Sequence, residues 1–223
     1  MRLINRFAEL FNDWIVLIQR HGAISALPSI GLEVTYLPYR HLKFHILEYS
    51  LGDKLPDCQP KIPLEIRSFQ PHDIELVRQI DRPSEARQCA LRLESGYNGL
   101  VALYHNQLAG YAWGCAKINP QLERVHVQFN PGDVLCNDAF TNPVFRGQGV
   151  QTALTLARFR LFRDLGYCRA ICYIEFRNAP SLAVWQKKLG GQITGSIDFL
   201  RIGPWYRICY NDVPPTLELH VRK

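Results

Sequence analysis

Residues 139 to 151 read AFTNPVFRGQGVQ, and this stretch decides the fold. Its first residues are apolar, as in a strand, and its last residues begin a helical pattern. Gly147 and Gly149 lie in the turn between them, where the lack of a Cβ lets successive backbone N–H groups converge on one point. With the free N–H groups of the first helical turn and the cation of Arg146, they predict an anion cradle suited to a pyrophosphate. Two glycines alone would also suffice for a plain strand-to-helix turn.

After this turn, helices and strands alternate. One helical face is predicted from apolar residues at helical spacing that end near Gly166: Val150, Leu154, Ala157, Leu161 and Leu165. The elements predicted next are a strand over 169–176, a helix over 180–189, and closing strands over 192–200 and 205–210.

Before the turn, hairpin-like strands predominate. The predicted elements are a strand over 64–69, helices over 73–80 and 83–95, and strands over 100–104, 109–115, 125–129 and 134–140. Hairpins followed by strands that helices separate predict a mixed α/β sheet covered by helices.

The first part of the chain is predicted as an N-terminal extension. Residues 3–18 have the apolar spacing of an amphipathic helix, and strand-like pieces follow over 32–37 and 43–49. A stretch rich in turn formers then separates this part from the regular pattern. The sequence therefore predicts an extension over 1–63 and an α/β domain over 64–223.

Composition is typical of a soluble globular protein. Of 223 residues, 47% are hydrophobic and 21% are charged, which argues against disorder. Seven cysteines without a paired C-x-x-C argue against a disulfide framework or a zinc ribbon and favour a cytoplasmic setting. No apolar run approaches the roughly 20 residues that span a bilayer. The formal net charge of +6 suits a polyanionic partner without identifying it.

The segment 138–191 resembles the GNAT acyltransferases. In that family an apolar strand and a proline precede Arg/Gln-x-x-Gly-x-Gly/Ala at the start of a long helix. Further on come an asparagine, a small residue three positions later, and a tyrosine seven positions later. This chain offers, in the same order, Pro143, Arg146-Gly147-Gln148-Gly149, Asn178, Ser181, Trp185 and Leu189-Gly190-Gly191. The resemblance implies a GNAT-like mixed, largely antiparallel sheet of about seven strands flanked by helices, over roughly residues 64 to 210.

The resemblance also implies acetyl-coenzyme A, or a longer acyl-coenzyme A, as co-substrate, and no metal. The pantetheine arm would run beside the strand that ends at Thr141, with Asn178 and Ser181 on its other side. The thioester would sit where this strand splays from the strand that ends at Phe176. A backbone N–H near Phe140 or Thr141 would bond the carbonyl oxygen as charge grows on it. The residues implied to bind the cofactor are Phe140, Thr141, Arg146, Gly147, Gln148, Gly149, Val150, Gln151, Asn178, Ser181 and Trp185.

Three features depart from the family pattern. Gln151 stands where glycine or alanine is usual, which crowds the cradle. Trp185 stands where many members carry the tyrosine that protonates the leaving thiolate, and an indole N–H is a far weaker acid than a phenol. The interval from Asn178 to Gly190 is one residue longer than usual.

Direct attack of an acceptor amine on the thioester requires a base, because an amine at neutral pH is mostly protonated. Asp138 and Glu175 are the catalytic candidates, since each lies near the end of a strand that borders the predicted gap. Asp138 could instead be a solvated or turn-capping carboxylate, and Glu175 could pair with Arg177 or Arg169. The weaker candidates are an ordinary histidine and two cysteines more typical of a core: His126, Cys136 and Cys172.

The acceptor is predicted only as an amine-bearing peptide, amino sugar or small molecule. The stretch Gly110-Tyr111-Ala112-Trp113 in an extended chain resembles GNAT members of bacterial exopolysaccharide or peptide natural-product pathways. The first helix carries the large apolar side chains of Phe7, Phe11 and Trp14. It could cover a tunnel for a long acyl chain, or it could simply pack on the core. A homodimer is compatible with this interpretation.

Two rival functions remain open at this level. The replacement of the tyrosine by Trp185 would suit a non-catalytic module that binds coenzyme A or a partner. The basic residues of one helix could suit a nucleic acid, and they are Arg158, Arg160 and Arg163. No aromatic-and-basic RNA motif accompanies them, so no nucleic-acid partner is predicted.

Overall fold

A computed structural model describes residues 39–80, 83–119, 127–202, 205–212 and 218–219. Its strands are β1 (Tyr39–Ser50), β2 (Glu65–Ser68), β3 (Asn98–Tyr104), β4 (Gln107–Cys115), β5 (Val127–Gln128), β6 (Asp133–Thr141), β7 (Arg169–Glu175), β8 (Gln192–Ile202), β9 (Trp205–Asn211) and β10 (Glu218–Leu219). Its helices are α1 (Asp73–Ile80), α2 (Pro83–Glu94), α3 (Val150–Asp164) and the short α4 (Ala179–Leu182), which continues as a π-helix over Ala183–Lys188.

The described strands form one main sheet of eight, in the order β2-β3-β4-β6-β7-β1-β8-β9, and a two-stranded pair, β10-β5. Every neighbouring pair in the main sheet is antiparallel except β6 and β7, which are parallel. The predicted mixed, largely antiparallel sheet is therefore confirmed, with eight strands where about seven were expected.

Strand β1 is a central strand of the sheet although it belongs to the predicted extension. It pairs with β7 on one side and with β8 on the other, and it contains the predicted strand over 43–49. Ile46 and Leu47 are both buried and lie in cores on opposite faces of the sheet, as expected for a strand covered on both sides. The predicted helix over 3–18 and the strand over 32–37 lie outside the described residues. The domain boundary at residue 63 stays a prediction.

Helices cover both faces of the sheet. Helices α1 and α2 pack on one face through Val77, Ala86 and Cys89. Helix α3 packs on the other face with the π-helix, where Phe159 contacts Trp185. The predicted start of α1 and the full course of α3 are confirmed, whereas the single helix predicted over 180–189 is half π-helical. No helix in the described part of the chain combines the length and apolarity needed to cross a membrane.

Candidate active site

The main feature of the sheet is a wedge-shaped gap between β6 and β7. The two strands pair only from Asp133 and Arg169 to Leu135 and Ile171. Beyond that point both continue, β6 to Thr141 and β7 to Glu175, without pairing with each other. The backbone edges that face each other across the gap are thus not joined to each other by ladder hydrogen bonds. The splayed strands implied by the family resemblance are present.

An ion-pair cluster closes the narrow end of the gap. The guanidinium of Arg169 donates to both carboxylate oxygens of Asp133, at 2.8 and 2.6 Å, and to Glu48 on β1 at 3.1 Å. The hydrogen bond to Asp133 raises the pKa of Arg169 above its usual value, so the cation persists at every accessible pH. Three adjacent strands are therefore tied together where β6 and β7 begin.

A β-bulge at Asp138 bends β6 as it enters the open part of the gap. Asn137 lies opposite Trp113 and Ala139 lies opposite Ala112, so Asp138 has no partner residue on β4. Its φ of 46° is left-handed, a conformation that aspartate tolerates better than most residues. Bulges of this kind re-aim the strand that follows them. Here the segment that follows is the one predicted to bind the pantetheine arm.

Backbone alternation shows which N–H groups beyond the bulge face the gap. The N–H of Asn142 donates to the carbonyl of Ala109 on β4, at 2.9 Å. Successive N–H groups of a strand point to opposite edges, so the N–H of Phe140 faces β4 and that of Thr141 faces the gap. Of the two residues proposed to bond the carbonyl oxygen, Thr141 has the suitable orientation. Its side-chain hydroxyl is also buried without a hydrogen-bond partner.

The turn that follows β6 is held in a fixed shape. Asn142 accepts a hydrogen bond from the N–H of Val144 at 3.2 Å, and its side-chain NH₂ donates to the carbonyl of Leu108 at 2.9 Å. Residues Pro143–Phe145 form one 3₁₀ turn. Gly147 and Gly149 follow with φ of 77° and 87°, a region that disfavours side chains.

This turn leaves a group of N–H donors unpaired. Within the described part of the chain no acceptor pairs with the N–H groups of five consecutive or nearly consecutive residues: Gly147, Gly149, Val150, Gln151 and Thr152. They lie at the N-terminus of α3, where the helix dipole is positive, and Arg146 beside them is exposed. This arrangement suits a bound anion such as a pyrophosphate.

Residues 59–61 flank this turn, although they belong to the stretch taken as a linker from the sequence. The N–H of Lys61 donates to the carbonyl of Gln148 at 2.8 Å. A Cβ built on Gly149 would lie 3.1 Å from the Cα of Pro60. Sequence reasoning missed this contact because a proline-rich stretch carries no signal for its packing partner.

Asn178 and Ser181 meet the first turn of α3. The side-chain oxygen of Asn178 caps α4 by accepting from the N–H of Ser181 at 3.3 Å. The hydroxyl of Ser181 accepts from the side-chain NH₂ of Gln151 at 3.0 Å. The side chain of Gln151 thus extends towards α4, which explains how it fits where a small residue is usual. Three of the residues predicted to bind the cofactor are thus brought together: Gln151, Asn178 and Ser181.

Trp185 lies inside the core. It is 2% exposed, and its indole packs edge-on against Phe159 with ring centroids 5.3 Å apart. The π-helix around it contains the N–H of Leu189 donating five residues back, to Val184, at 3.0 Å. A π-helical turn accommodates one extra residue, which accounts for the longer interval seen in the sequence. A contact of Trp185 with a cofactor stays a prediction.

The two candidate carboxylates lie on the face of the sheet that α1 and α2 cover, opposite α3. Asp138 forms an ion pair with Arg92 of α2, which is itself buried. Glu175 lies opposite Phe44, whose side chain packs on the same face. Within the described residues the Glu175 carboxylate has no ion pair or hydrogen bond, and Arg169 is bound to Asp133 and Glu48 instead.

The weaker candidates from the sequence, and Arg158, are core residues or lie outside the described part of the chain. Cys136 and Cys172 are buried and in no disulfide. Burial raises the pKa of Cys136 although the nearby Arg158 acts against it, so Cys136 is a protonated core residue. His126 lies outside the described residues. Arg158 is 1% exposed and bonded to backbone carbonyls, so it is not part of a basic surface with Arg160 and Arg163.

Comparison with known proteins rests on structure alone, because no family model and no curated protein matches the sequence. A Drosophila protein of solved structure superposes with a TM-score of 0.54 at 16% identity, over 82% of this chain and 58% of its own. A GCN5-related N-acetyltransferase from Sphaerobacter thermophilus superposes with a TM-score of 0.50 at 16% identity, over 78% of this chain and 57% of its own. A tandem GNAT protein from the clavulanic acid biosynthesis pathway superposes with a TM-score of 0.51 at 14% identity, over 85% of this chain and 58% of its own.

These similarities show that the chain has the GNAT fold. The chain spans less than three fifths of the length of each of these solved chains. Activity, substrates and partners therefore do not follow from the similarity.

Proposed function

We propose, with the GNAT fold as premise, that this protein is an N-acyltransferase. It would move an acyl group from acyl-coenzyme A to the amine of a small molecule, amino sugar or peptide, by direct attack in a ternary complex. The observation that carries the proposal is the group of unpaired N–H donors from Gly147 to Thr152 beside the gap between β6 and β7. A plain strand-to-helix turn requires no such gap.

The residues of the turn fit the diphosphate of coenzyme A. Five N–H donors and the helix dipole favour an anion, and Arg146 adds a full positive charge next to them. Asn178 and Ser181 would border the pantetheine arm on the α4 side. When bound, the co-substrate supplies an activated thioester, and the protein supplies placement and charge stabilisation. Acetyl-coenzyme A and longer acyl-coenzyme A are both compatible with these contacts.

Glu175 is the better of the two candidates for the base. Its carboxylate lies at the end of β7 beside the gap and has no bonded partner among the described residues, so both oxygens can accept a proton. The carboxylate of Asp138 is already bound by the guanidinium of Arg92. The N–H of Thr141 would stabilise the charge that develops on the carbonyl oxygen.

No acid is needed for the leaving group. The buried indole of Trp185 cannot supply a proton. An ordinary thiol has a pKa of about 8.5, so a thiolate can leave and take its proton from water. The absence of a tyrosine at this position is therefore compatible with turnover.

Detection of released thiol with acetyl- and palmitoyl-coenzyme A, across a panel of amines, tests the proposal. We expect turnover with at least one pair. We expect Glu175→Gln to lower kcat by about 10²-fold or more, as for loss of a general base, with little change in coenzyme A affinity. Asp138→Asn is the matched comparison, since asparagine tolerates the same left-handed backbone, and its effect should be smaller.

A coenzyme-A-binding module without catalysis is the second candidate, because Trp185 replaces the tyrosine that many family members use as an acid. Binding of coenzyme A measured by calorimetry, with no thiol release for any amine, would support the module. No binding of any coenzyme A derivative would refute both candidates.

A further inference from the structure

Arg158 is a cation buried in the middle of the molecule. It lies on α3, and its side chain is 1% exposed. One terminal nitrogen, Nη1, donates to the carbonyl of Trp113 at 2.7 Å and to the carbonyl of Asn137 at 3.0 Å. Trp113 and Asn137 form the last strand pair before the bulge at Asp138, so Arg158 bonds both strands at the point where their register breaks.

This cation has an unfavourable environment. No carboxylate pairs with it in the described part of the chain, and its Nε is buried without an acceptor. A buried charge without a counterion costs several kcal/mol, and an apolar side chain of similar size would fill the same volume without that cost. Packing alone therefore does not account for an arginine at this position.

The two bonds that Arg158 makes lie where the bulge disrupts the ladder between β4 and β6. A bulge locally weakens the pairing of its strands, and hydrogen bonds from a charged donor are stronger than those between neutral groups. Arg158 holds one carbonyl of each strand from the α3 side of the sheet. On the opposite face, Arg92 binds the side chain of Asp138. Two arginines from opposite faces thus hold a single residue in its left-handed conformation.

We infer that Arg158 is a positioning residue for the acyl-transfer site. By fixing the bulge at Asp138, it sets the direction of the segment from Ala139 to Thr141 and so the aim of the Thr141 N–H into the gap. It touches neither substrate nor cofactor and acts only through the backbone of β4 and β6. The inference rests on the proposed function.

The test compares Arg158→Met, Arg158→Lys and the control Arg160→Met, which changes an exposed arginine on the same helix. For each, kcat, the KM for acyl-coenzyme A and the Kd for coenzyme A are measured per folded molecule. We expect Arg158→Met to lower kcat by about 10²-fold, the effect of a misplacement of about 1 Å at a reacting centre. The Kd should stay within about twofold, because Arg158 bonds only β4 and β6, and the cradle ends at Thr152, six residues before Arg158 on α3. Lysine retains a donor and should recover part of kcat, and the control should match the wild type.

Amide hydrogen exchange over residues 137–141 is a second readout that does not depend on activity. It should be faster in Arg158→Met than in the wild type, intermediate in Arg158→Lys, and unchanged in the control. Unchanged kcat and exchange in both Arg158 variants would overturn the inference. If Arg158→Met fails to fold, the Lys variant alone decides. An inactive wild type would instead refute the proposed enzyme and leave the exchange arm to test the bulge.

Discussion

The shape of the anion cradle depends most directly on Gly149, because this position leaves little room for a side chain. Its φ of 87° costs any other residue about 1 kcal/mol or more, and a Cβ would press on Pro60 at 3.1 Å. We expect Gly149→Ala to shift the neighbouring N–H groups and to weaken coenzyme A binding by about tenfold, or about 1.4 kcal/mol. Isothermal titration calorimetry with coenzyme A measures the effect.

Gly166 offers a matched control at the other end of α3. It has the same φ of 87°, and a Cβ there would meet nothing within 4 Å. Gly166→Ala should lower the free energy of unfolding by the same backbone cost of about 1 kcal/mol or more, and it should leave coenzyme A affinity unchanged. Equal affinities for both variants would show that the cradle does not depend on Gly149.

At the scale of single residues, sequence predicted what local geometry dictates and missed what distant contacts dictate. The glycines of the turn carry such a local signal, and the structure has them at positive φ. The bulge at Asp138 has no such signal, because an aspartate in a strand pattern looks the same with or without an extra residue opposite. The buried state of Arg158 was also missed, since helical spacing alone places arginines on a solvated face.

At the scale of elements, the connection between β2 and α1 depends on one buried carboxylate. Asp73 is fully buried and accepts two hydrogen bonds from Arg67, both at 2.7 Å, and one from the N–H of Gln70 at 2.7 Å. Burial by itself would raise the pKa of Asp73, but these hydrogen bonds and the charge of Arg67 outweigh it and lower the pKa. The carboxylate thus favours the folded state when it is ionised.

The lowered pKa fixes the sign of a pH effect. The contribution of Asp73 is fully present above the unfolded-state pKa of about 3.9 and is lost as pH falls towards the lower folded-state pKa. We expect Asp73→Asn to lower the free energy of unfolding by about 2 kcal/mol at pH 7, and by less at pH 3, in urea denaturation. Glu75→Gln on the same helix is the control, because its ion pair with Arg78 is exposed and should contribute little at either pH. A loss in Asp73→Asn that is the same at both pH values would contradict this account.

Helices and strands were predicted well where a single period runs through them. Helix α3 and strand β7 follow their predicted ranges closely because their apolar spacing is regular. The π-helix over Ala183–Lys188 was not predicted as such, although the extra residue that causes it was visible in the spacing. Periodicity assumes one helical geometry, so an inserted residue is seen only as a shift in length.

At the scale of the whole molecule, the position of β1 could not be predicted. Its residues read as a strand, but pairing partners far apart in sequence leave no local trace. In the sheet β1 lies between β7, which borders the gap, and β8. Strand β7, which borders the gap, is therefore paired on its other edge with a strand from the first quarter of the chain.

This arrangement predicts that residues 64–223 do not fold without β1. Removing the strand exposes the edges of both β7 and β8 and deletes core residues that are almost fully buried: Ile46, Leu47, Tyr49 and Leu51. Even truncation of one such leucine to alanine costs about 2 to 5 kcal/mol, and a typical domain is stable by only about 5 to 15 kcal/mol.

The truncated chain should show no cooperative urea transition. Added peptide 39–51 should restore one, and the same peptide with Leu47→Lys should not, because the charge would fall in the core that α3 covers. A cooperative transition of the truncated chain alone, or equal rescue by both peptides, would mean that β1 is dispensable for the sheet and that the gap is supported by β7 itself.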